Sequence, residues 1–173
     1  GGGKLAAEAK LRRLHLDDGV VRHASRQEDR AADFAARPDD RLPAQDVVAM
    51  LNIYLETMTE IIQKYQGTID EFIGDAILVI FGAPILRVDD HLRAVACAVE
   101  MQLAMASVND RNRQAGYPEV ALGIGINTGP MVVGNIGSTK RMKYGVVGSN
   151  VNLTTRIESY TVGGQIFISE HTL

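Results

Sequence analysis

Hydrophobic residues follow helical spacing in three parts of the chain. The first part runs from Pro43 to Tyr65 with one apolar face. The second begins after Asp89 or Asp90, either of which can cap a helix. A third, shorter helix is predicted over residues 150–160. In the second helix the spacing predicts one buried stripe, formed by Leu92, Val95, Val99, Leu103 and Ala106.

Between these helices the sequence shows the pattern of β-strands. Apolar residues there either alternate with polar ones or form short continuous runs. Gly74 and Asp75 interrupt the first two strands and predict a hairpin turn. Residues 137–143 are predicted to be a basic loop, and the segment from Leu16 to Leu42 to hold no strand. The predicted strands cover residues 68–73, 76–81, 120–127, 131–135, 144–147 and 165–169.

The order of elements from residue 43 onward is α-β-β-α-β-β-β-α-β. This order predicts an α+β fold with a mixed sheet and helices packed on one face. Residues 1–42 differ, because they are rich in Ala, Arg and Asp and have little apolar periodicity. They are predicted to be an N-terminal arm or linker, and the domain is expected to span residues 43–173.

Composition and charge narrow the class of protein. The length of 173 residues predicts one domain, and a net charge of −3 gives no global attraction to nucleic acid or to an anionic membrane. The single cysteine, Cys97, excludes an intrachain disulfide and a multi-cysteine zinc site, and is predicted to be a small apolar packing residue. No apolar run approaches the ~20 residues of a membrane span. We expect a cytoplasmic chain, or the cytosolic domain of a larger signalling protein whose other domains make any membrane contact.

Two segments contain candidate ligands for a charged substrate. Asp75 places a carboxylate at a tight turn between apolar strands, where it suits either a divalent cation or a hydrogen bond to its own backbone. Lys140 and Arg141 follow a glycine-containing segment whose backbone N–H groups can bind phosphate, and simple solvation is the alternative. Local sequence leaves both alternatives open at each position.

Glycines and one polar pair mark further candidate positions. Asn152 and Arg156 are four residues apart on the third predicted helix, so that they share a face and can contact a ribose oxygen and a phosphate. An exposed polar face is the alternative. Gly145, inside an apolar strand, indicates that another group packs against it or that the strand bulges there. Gly123 and Gly125 leave one face of their strand bare, so that another backbone or a ligand can approach closely.

Taken together and in order, five segments resemble the catalytic domain of class III nucleotidyl cyclases. The match runs from residue 43 to the end of the chain, and five motifs in one order are far more specific than any one of them. The resemblance implies a ferredoxin-like sandwich. The segments are VVAMLN from Val47, GTIDEFIGDAI from Gly67, GIGINTG from Gly123, VGNIGS from Val133 and VNLTTR from Val151.

The resemblance also implies a reaction. In this family the ribose 3′-oxygen attacks the α-phosphorus in line and pyrophosphate leaves, with two Mg²⁺ or Mn²⁺ ions at each site. Members act as head-to-tail dimers, in which one subunit supplies the metal-binding aspartates. The partner supplies the purine pocket with an Asn and an Arg. A homodimer then has two equivalent shared sites.

Family roles carry over to single positions of this chain. Asp75 corresponds to one metal-binding aspartate, and Asp29 or Asp33 is the candidate for the other. Asn152 corresponds to the residue that orients the ribose, and Arg156 to the residue that stabilises charge developing on the α-phosphate. The family's triphosphate-binding lysine lies on a strand beyond the last one predicted here, so the domain is expected to be incomplete at its C-terminus.

The purine-reading positions of the family favour guanine. Glu71 stands where adenylyl cyclases commonly carry Lys, and Gly145 where they often carry Asp or Thr. A carboxylate accepts hydrogen bonds from guanine N1–H and the 2-amino group, whereas adenine N1 is itself an acceptor. The pair is similar to that of cyanobacterial-type guanylyl cyclases. We therefore expect GTP as the substrate and cyclic GMP as the product.

Two alternatives stay open, and a third is discounted. An adenylyl cyclase would convert ATP to cyclic AMP in the same way. A non-catalytic cyclase-like module would dimerise or regulate a neighbouring domain. A diguanylate cyclase of related fold is suggested by Asp70, Glu71 and Phe72, but the paired glycines that should precede these residues are missing.

Overall fold

A mixed five-stranded sheet lies at the centre of the structure, a computed structural model that describes the backbone of Val20–Ala24 and residues 42–173. The strands are β1 Val20–Ala24, β2 Thr68–Ile73, β3 Ala76–Ile80, β4 Gly123–Asn127, β5 Val132–Ser138, β6 Arg141–Val147 and β7 Ile166–Ile168. The sheet has the order β2-β3-β1-β4-β7, and only its β4–β7 pair is parallel. The β5–β6 hairpin forms a separate two-stranded sheet.

Three α-helices accompany these strands in the described residues. They are α1 Ala44–Lys64, α2 Asp90–Gln114 and α3 Ser149–Ser159, and a short 3-10 helix, Glu170–Thr172, follows β7. None of the helices in the described ranges has the length and apolar character needed to cross a membrane.

The central strand β1 overturns the prediction that no strand lies between Leu16 and Leu42. It pairs antiparallel with β3 on one side and with β4 on the other. Its sequence, VVRHA, is too short and too mixed to predict a strand by itself. Pairing on both sides outweighs intrinsic preference in such a position. The division of the chain at residue 42 itself stays a prediction.

The two long helices cover one face of the sheet. Residues at alternate positions of β3 and β4 point toward α1 and α2, because successive strand residues face opposite sides. They form one continuous aliphatic core that contains Met58, Ile62, Ile77, Val79, Met101, Leu122, Ile124 and Ile126. The α+β class with a mixed sheet is confirmed.

The third helix packs across the other face of the sheet, where β4 carries glycines, so the prediction that the helices pack on one face holds only for α1 and α2. A Cβ atom at Gly125 would lie 2.5 Å from the backbone nitrogen of Glu158, and one at Gly123 would meet the Thr161 hydroxyl. The predicted approach of another backbone is thus confirmed at Gly125, whereas at Gly123 the close contact is a side chain. The β5–β6 hairpin shares this face and joins it through a second apolar cluster of Leu78, Ile80, Ala83, Met131, Val133 and Val146.

The buried face of α2 is not the predicted one. Leu92 and Leu103 are 63% and 73% exposed. The residues that face the core are instead Ala94, Cys97, Ala98, Met101, Met105 and Val108. The helix carries apolar residues on two faces, and the face that combines Ala94, Cys97 and Ala98 with flexible methionines packs against the sheet at interior density.

The segment predicted as a basic loop is the end of a hairpin. Ser138 of β5 pairs with Arg141 of β6, so only Thr139 and Lys140 remain in the turn. The prediction of a loop is wrong because exposed polar side chains do not prevent the backbones of β5 and β6 from pairing, and cross-strand pairs elsewhere in the hairpin stabilise it.

Cys97 is fully buried, as predicted for a packing residue, and burial raises the pKa of its thiol to about 12. The thiolate is the form that reacts. We therefore expect the native protein to resist a disulfide reagent at about pH 8 and to react fully in denaturing urea, since exposure requires opening of the core. Rapid stoichiometric labelling of the native protein, measured by absorbance, would contradict this packing.

Candidate active site

A two-residue turn holds Asp75, the candidate metal ligand. Ile73 pairs with Ala76 across the turn, and Gly74 has a φ of +64°, a region that favours glycine. Strand β3 is buried along its whole length and fixes one side of this hairpin. Asp75 is half-buried, and the predicted turn is confirmed. Burial first, and then the nearby carboxylates of Asp75 and Glu158, raise the pKa of the Tyr54 phenol.

The chemistry of Asp75 suits a divalent cation as one ligand among several. Mg²⁺ commonly takes one or two protein carboxylates and completes its shell with water and substrate phosphates. Within the described part of the chain, no group of three or more His, Cys, Asp or Glu side chains is placed to hold a metal. Asp29 and Asp33, the candidates for a second carboxylate, lie outside the described residues and follow β1 in the sequence.

A bulge in β2 brings two adjacent carboxylates toward one lysine. Ile69 pairs with Val79 and Glu71 with Leu78, so Asp70 is an extra residue in the ladder. Bulges of this kind redirect side chains and are common next to active sites. Lys143 Nζ of β6 lies 3.0 Å from Glu71 Oε2 and 3.8 Å from Asp70 Oδ2.

These three charged groups differ in exposure. The side chains of Glu71 and Lys143 are 48% and 50% exposed, whereas that of Asp70 is only 3% exposed. Burial raises the pKa of the Asp70 carboxyl, and the Lys143 ammonium opposes that shift. Hydrogen bonding to Glu71 raises the pKa of Lys143. Oδ1 of Asp70 has no hydrogen-bond partner among the described residues.

Gly145 packs directly over this group. A Cβ atom there would lie 3.1 Å from Asp70 Oδ1 and 3.2 Å from Lys143 Cε. The β5–β6 ladder runs without a register shift, and Gly145 pairs with Gly134. Close packing therefore accounts for Gly145, and the bulge lies in β2 instead. The structure thus brings Glu71 and Gly145, the two predicted purine-reading positions, to one place.

Asn152 and Arg156 lie on successive turns of α3 and are both exposed. The opposite side of the helix is fixed by buried Thr154 and Glu158, and Glu158 lies against Gly125. Within residues 42–173 the Arg156 guanidinium makes no hydrogen bond or ion pair. The pair therefore presents an amide and a guanidinium side by side from a well-anchored helix.

Lys140 and Arg141 lie at the tip of the β5–β6 hairpin, and both are exposed. Their backbone N–H groups donate to the Ser138 hydroxyl. Within the described ranges, no side-chain hydrogen bond or ion pair connects them to the other candidate residues.

Sequence reasoning missed two members of the charged group around Glu71, namely Asp70 and Lys143. Lys143 belongs to the segment that was predicted as a basic loop, and so it was not assigned to a strand. Asp70 stands next to Glu71, and strict strand alternation would place its side chain on the opposite face. Only the bulge brings both carboxylates to the same lysine, and no local sequence pattern predicts this bulge.

Fold and site together describe an α+β domain with Asp75 at a tight turn, two carboxylates beside Lys143 and a helix that presents Asn152 and Arg156. The family model of the adenylate and guanylate cyclase catalytic domain matches residues 31–173. The chain therefore belongs to this family, that of the class III nucleotide cyclases.

Solved structures give the same fold. The guanylyl cyclase Cya2 is 53% identical with a TM-score of 0.81, over 90% of this chain and 76% of that one. The adenylyl cyclase CyaB from P. aeruginosa is 34% identical with a TM-score of 0.81, over 90% and 77%. Both nucleotide preferences thus occur among similar structures.

Curated relatives are much longer than this chain. Adenylate cyclase 1 of Rhizobium meliloti is 34% identical over 126 residues, which are 73% of this chain and 19% of the relative. The adenylate cyclase of Anabaena cylindrica is 36% identical over 133 residues, which are 72% of this chain and 25% of the relative. The chain therefore spans a quarter or less of the length of these relatives.

Proposed function

We propose that this chain is the catalytic domain of a guanylyl cyclase, which converts GTP to 3′,5′-cyclic GMP and pyrophosphate. The observation that carries the proposal is the packing of Gly145 over β2 beside Glu71. The Glu71 carboxylate, beside a position that carries no side chain, can accept hydrogen bonds from guanine N1–H and the 2-amino group, whereas an adenine N1 would face another acceptor. The identity of 53% to the guanylyl cyclase Cya2 supports the same preference.

In this proposal the reacting end of the nucleotide lies against α3. The bond from the ribose 3′-oxygen to the α-phosphorus forms as the bond to pyrophosphate breaks. Asn152 orients the ribose, and Arg156 stabilises the negative charge that grows on the phosphate oxygens. A guanidinium suits this role because its rigid fork of N–H donors matches phosphate. Its exposure and lack of a partner among the described residues support the assignment.

The triphosphate end is proposed to lie near the β2–β3 turn. Asp75 would hold Mg²⁺ or Mn²⁺, with Asp29 or Asp33 as the second carboxylate. Two such ions, when bound, activate the 3′-oxygen and neutralise charge on the triphosphate. Lys140 and Arg141 are proposed as weaker phosphate contacts from the hairpin tip.

The active form is proposed to be a head-to-tail homodimer with two shared sites. Strand β2 is an edge strand, and it carries exposed Phe72 and Ile73. The hairpin strand β6 adds exposed Met142 and Tyr144. Exposed apolar residues beside an edge strand are typical of a surface that another chain covers. In the proposed dimer a second copy of this domain covers that surface, and each site combines one chain's Asp75 with its partner's α3.

Exchange of the purine-reading residues tests the substrate assignment. Glu71→Lys with Gly145→Asp should shift the ratio of kcat/KM for GTP over ATP toward ATP by about tenfold or more, since each guanine hydrogen bond is replaced by an unpaired group. The exchange leaves two carboxylates and two ammonium groups together, where the wild type has Asp70, Glu71 and Lys143. Cyclic products from equimolar GTP and ATP with Mn²⁺ can be measured by mass spectrometry.

The wild-type chain in the same assay distinguishes the alternatives. Cyclic GMP in excess supports the proposal, and cyclic AMP in excess would identify an adenylyl cyclase. If neither product forms but the chain still dimerises, the non-catalytic module is favoured. A GTP preference that survives the double exchange unchanged would show that Glu71 and Gly145 do not read the purine.

A further inference from the structure

Helix α2 carries a second apolar stripe on the side that faces away from the sheet. At 3.6 residues per turn, this side lies nearly opposite the face that packs on the core. A helix that is apolar on two sides is typical of one that is covered on both. The outer stripe of α2 consists of Leu92, Ala96, Val99, Leu103 and Ala106, and the described residues leave all five exposed.

The neighbouring helix α1 lies on the same face of the sheet and differs in this respect. Its exposed residues on the side away from the core are Gln45, Val48, Asn52, Glu56, Glu60 and Gln63. Only Val48 in this set is apolar, as expected for a helix face that stays in water. The outer stripe of α2 is therefore not a general property of the helical layer. Contiguous exposed apolar surface of this kind marks an interaction site.

We propose that the outer stripe of α2 binds the same stripe of a second copy of this chain, with the two helices antiparallel. Its residues are spaced alternately by four and three, an average of 3.5 that keeps a seam facing a partner helix. The stripe is also self-complementary in size. A two-fold axis through Val99 places Leu92 opposite the partner's Ala106 and Ala96 opposite the partner's Leu103. Large side chains then face small ones at each level, which allows facing helices to interdigitate.

The charges of α2 are compatible with burial of this stripe. Between Leu92 and Ala106 the helix has two charged side chains, Arg93 and Glu100. Arg93 is ion-paired with Asp90, and Glu100 with Lys64, inside the same domain. A second copy therefore covers the stripe without burying an unpaired charge, which is the main cost of many interfaces.

The antiparallel orientation follows from the ends of the helix. Asp110 lies about one turn beyond Ala106 on the same side and is exposed. In the antiparallel pair its carboxylate lies near the N-terminus of the partner's α2, where the helix dipole favours negative charge. A parallel pair would instead place Asp110 beside its own copy and Ala96 opposite another alanine, which leaves a repulsion and a gap.

This contact is separate from the proposed head-to-tail dimer and does not rest on the proposed nucleotide specificity. The head-to-tail dimer uses β2 and β6, whereas the outer stripe belongs to the helical layer. A two-fold contact through α2 therefore joins catalytic dimers into larger assemblies. One helix pair is small beside the ~1,200–2,000 Å² of a stable specific interface, so the association should be weak and depend on protein concentration.

Engineered cysteines test both the contact and its direction. Val99→Cys should form an intermolecular disulfide under mild oxidation, because the two-fold axis brings both Cβ atoms within reach of each other. Leu92→Cys or Ala106→Cys alone should not cross-link, whereas a mixture of the two chains should. Glu60→Cys, on the outward side of α1, is the matched control and should stay uncross-linked on a non-reducing gel. Cys97 is fully buried and should not compete.

A charge placed in the stripe tests its contribution to association. Leu103→Glu should lower the constant for assembly beyond the catalytic dimer by about tenfold or more, because the carboxylate would be buried against the partner's Ala96. Leu103 is 73% exposed, so the fold should persist, and urea unfolding checks this. Gln63→Glu adds the same charge on α1 and should leave the constant unchanged. Sedimentation over a range of protein concentrations measures each constant.

The outcomes separate this inference from the proposed function. Cross-linking of Val99→Cys no stronger than that of Glu60→Cys would overturn the contact, and so would an unchanged association constant in Leu103→Glu. Cross-linking of Leu92→Cys with itself would overturn the antiparallel arrangement. A chain that cross-links through Val99→Cys as described but forms no cyclic GMP would support this inference and contradict the proposed function alone.

Discussion

Replacement of Arg156 by alanine is expected to lower the kcat for cyclic GMP formation by about 10²- to 10³-fold, the usual loss when a donor to developing transition-state charge is removed. The KM for GTP should change little, because the interaction strengthens only as charge grows on the phosphate. Arg156→Lys should give an intermediate rate, since it keeps the charge but loses the rigid fork of donors. Steady-state kinetics of the purified variants measure both constants.

Two controls make this result specific. Arg113→Ala removes an exposed arginine that pairs with Asp110 and Glu119 at the end of α2, and it should leave kcat unchanged. Mixing Arg156→Ala chains with Asp75→Asn chains should restore about a quarter of the wild-type activity, because half of the dimers are mixed and one of their two sites is intact. An absence of recovery at high protein concentration would argue against sites shared between subunits.

Gly125→Ala is expected to be one of the most destabilising single-methyl changes in the domain. The new Cβ would lie 2.5 Å from the backbone nitrogen of Glu158 and 2.8 Å from its Cα, so α3 must move away from the sheet. Overpacking of this kind costs about 1–3 kcal/mol in the free energy of unfolding. The kcat should fall by more than the loss of folded protein explains, because α3 carries Asn152 and Arg156. A shift of ~1 Å at reacting groups costs up to ~10²-fold in rate.

Gly134→Ala is the matched control for this change. Gly134 also lies in a strand, but a Cβ there would meet no atom within 4 Å. Its free energy of unfolding, measured by urea denaturation, should stay within about 0.5 kcal/mol of wild type. Equal losses in the two variants would mean that the close contact between β4 and α3 does not limit stability.

Much of the fold followed from local patterns in the sequence. Alternation predicted the strands around Ile124 and Ile126, and Gly74 with Asp75 predicted the hairpin turn, because both depend on residues that are close together in the chain. The choice of face on α2 did not follow in this way. Its leucine stripe and its alanine–methionine stripe are both apolar, and only contact with the sheet selects the second.

The candidate site likewise contains some residues that the sequence predicted and others that only the tertiary structure revealed. Asp75, Asn152 and Arg156 were recognisable because each belongs to a short motif, and their roles stay predictions that the variants above test. The position of Lys143 required β6 to be laid against β2, and that of Asp70 required a bulge. A cross-strand contact and an extra residue in a ladder are set by pairing partners and leave little trace in local sequence.

The sequence by itself therefore determined the cyclase family, the order of most elements and the residue types available for chemistry, since periodicity and motif order are local properties of the chain. Only the tertiary structure decided that VVRHA becomes the central strand, that α3 lies against Gly125 and that Lys143 lies between two carboxylates. Each of these depends on groups far apart in sequence, whose association is stabilised by strand pairing, close packing and charge once the whole domain has folded.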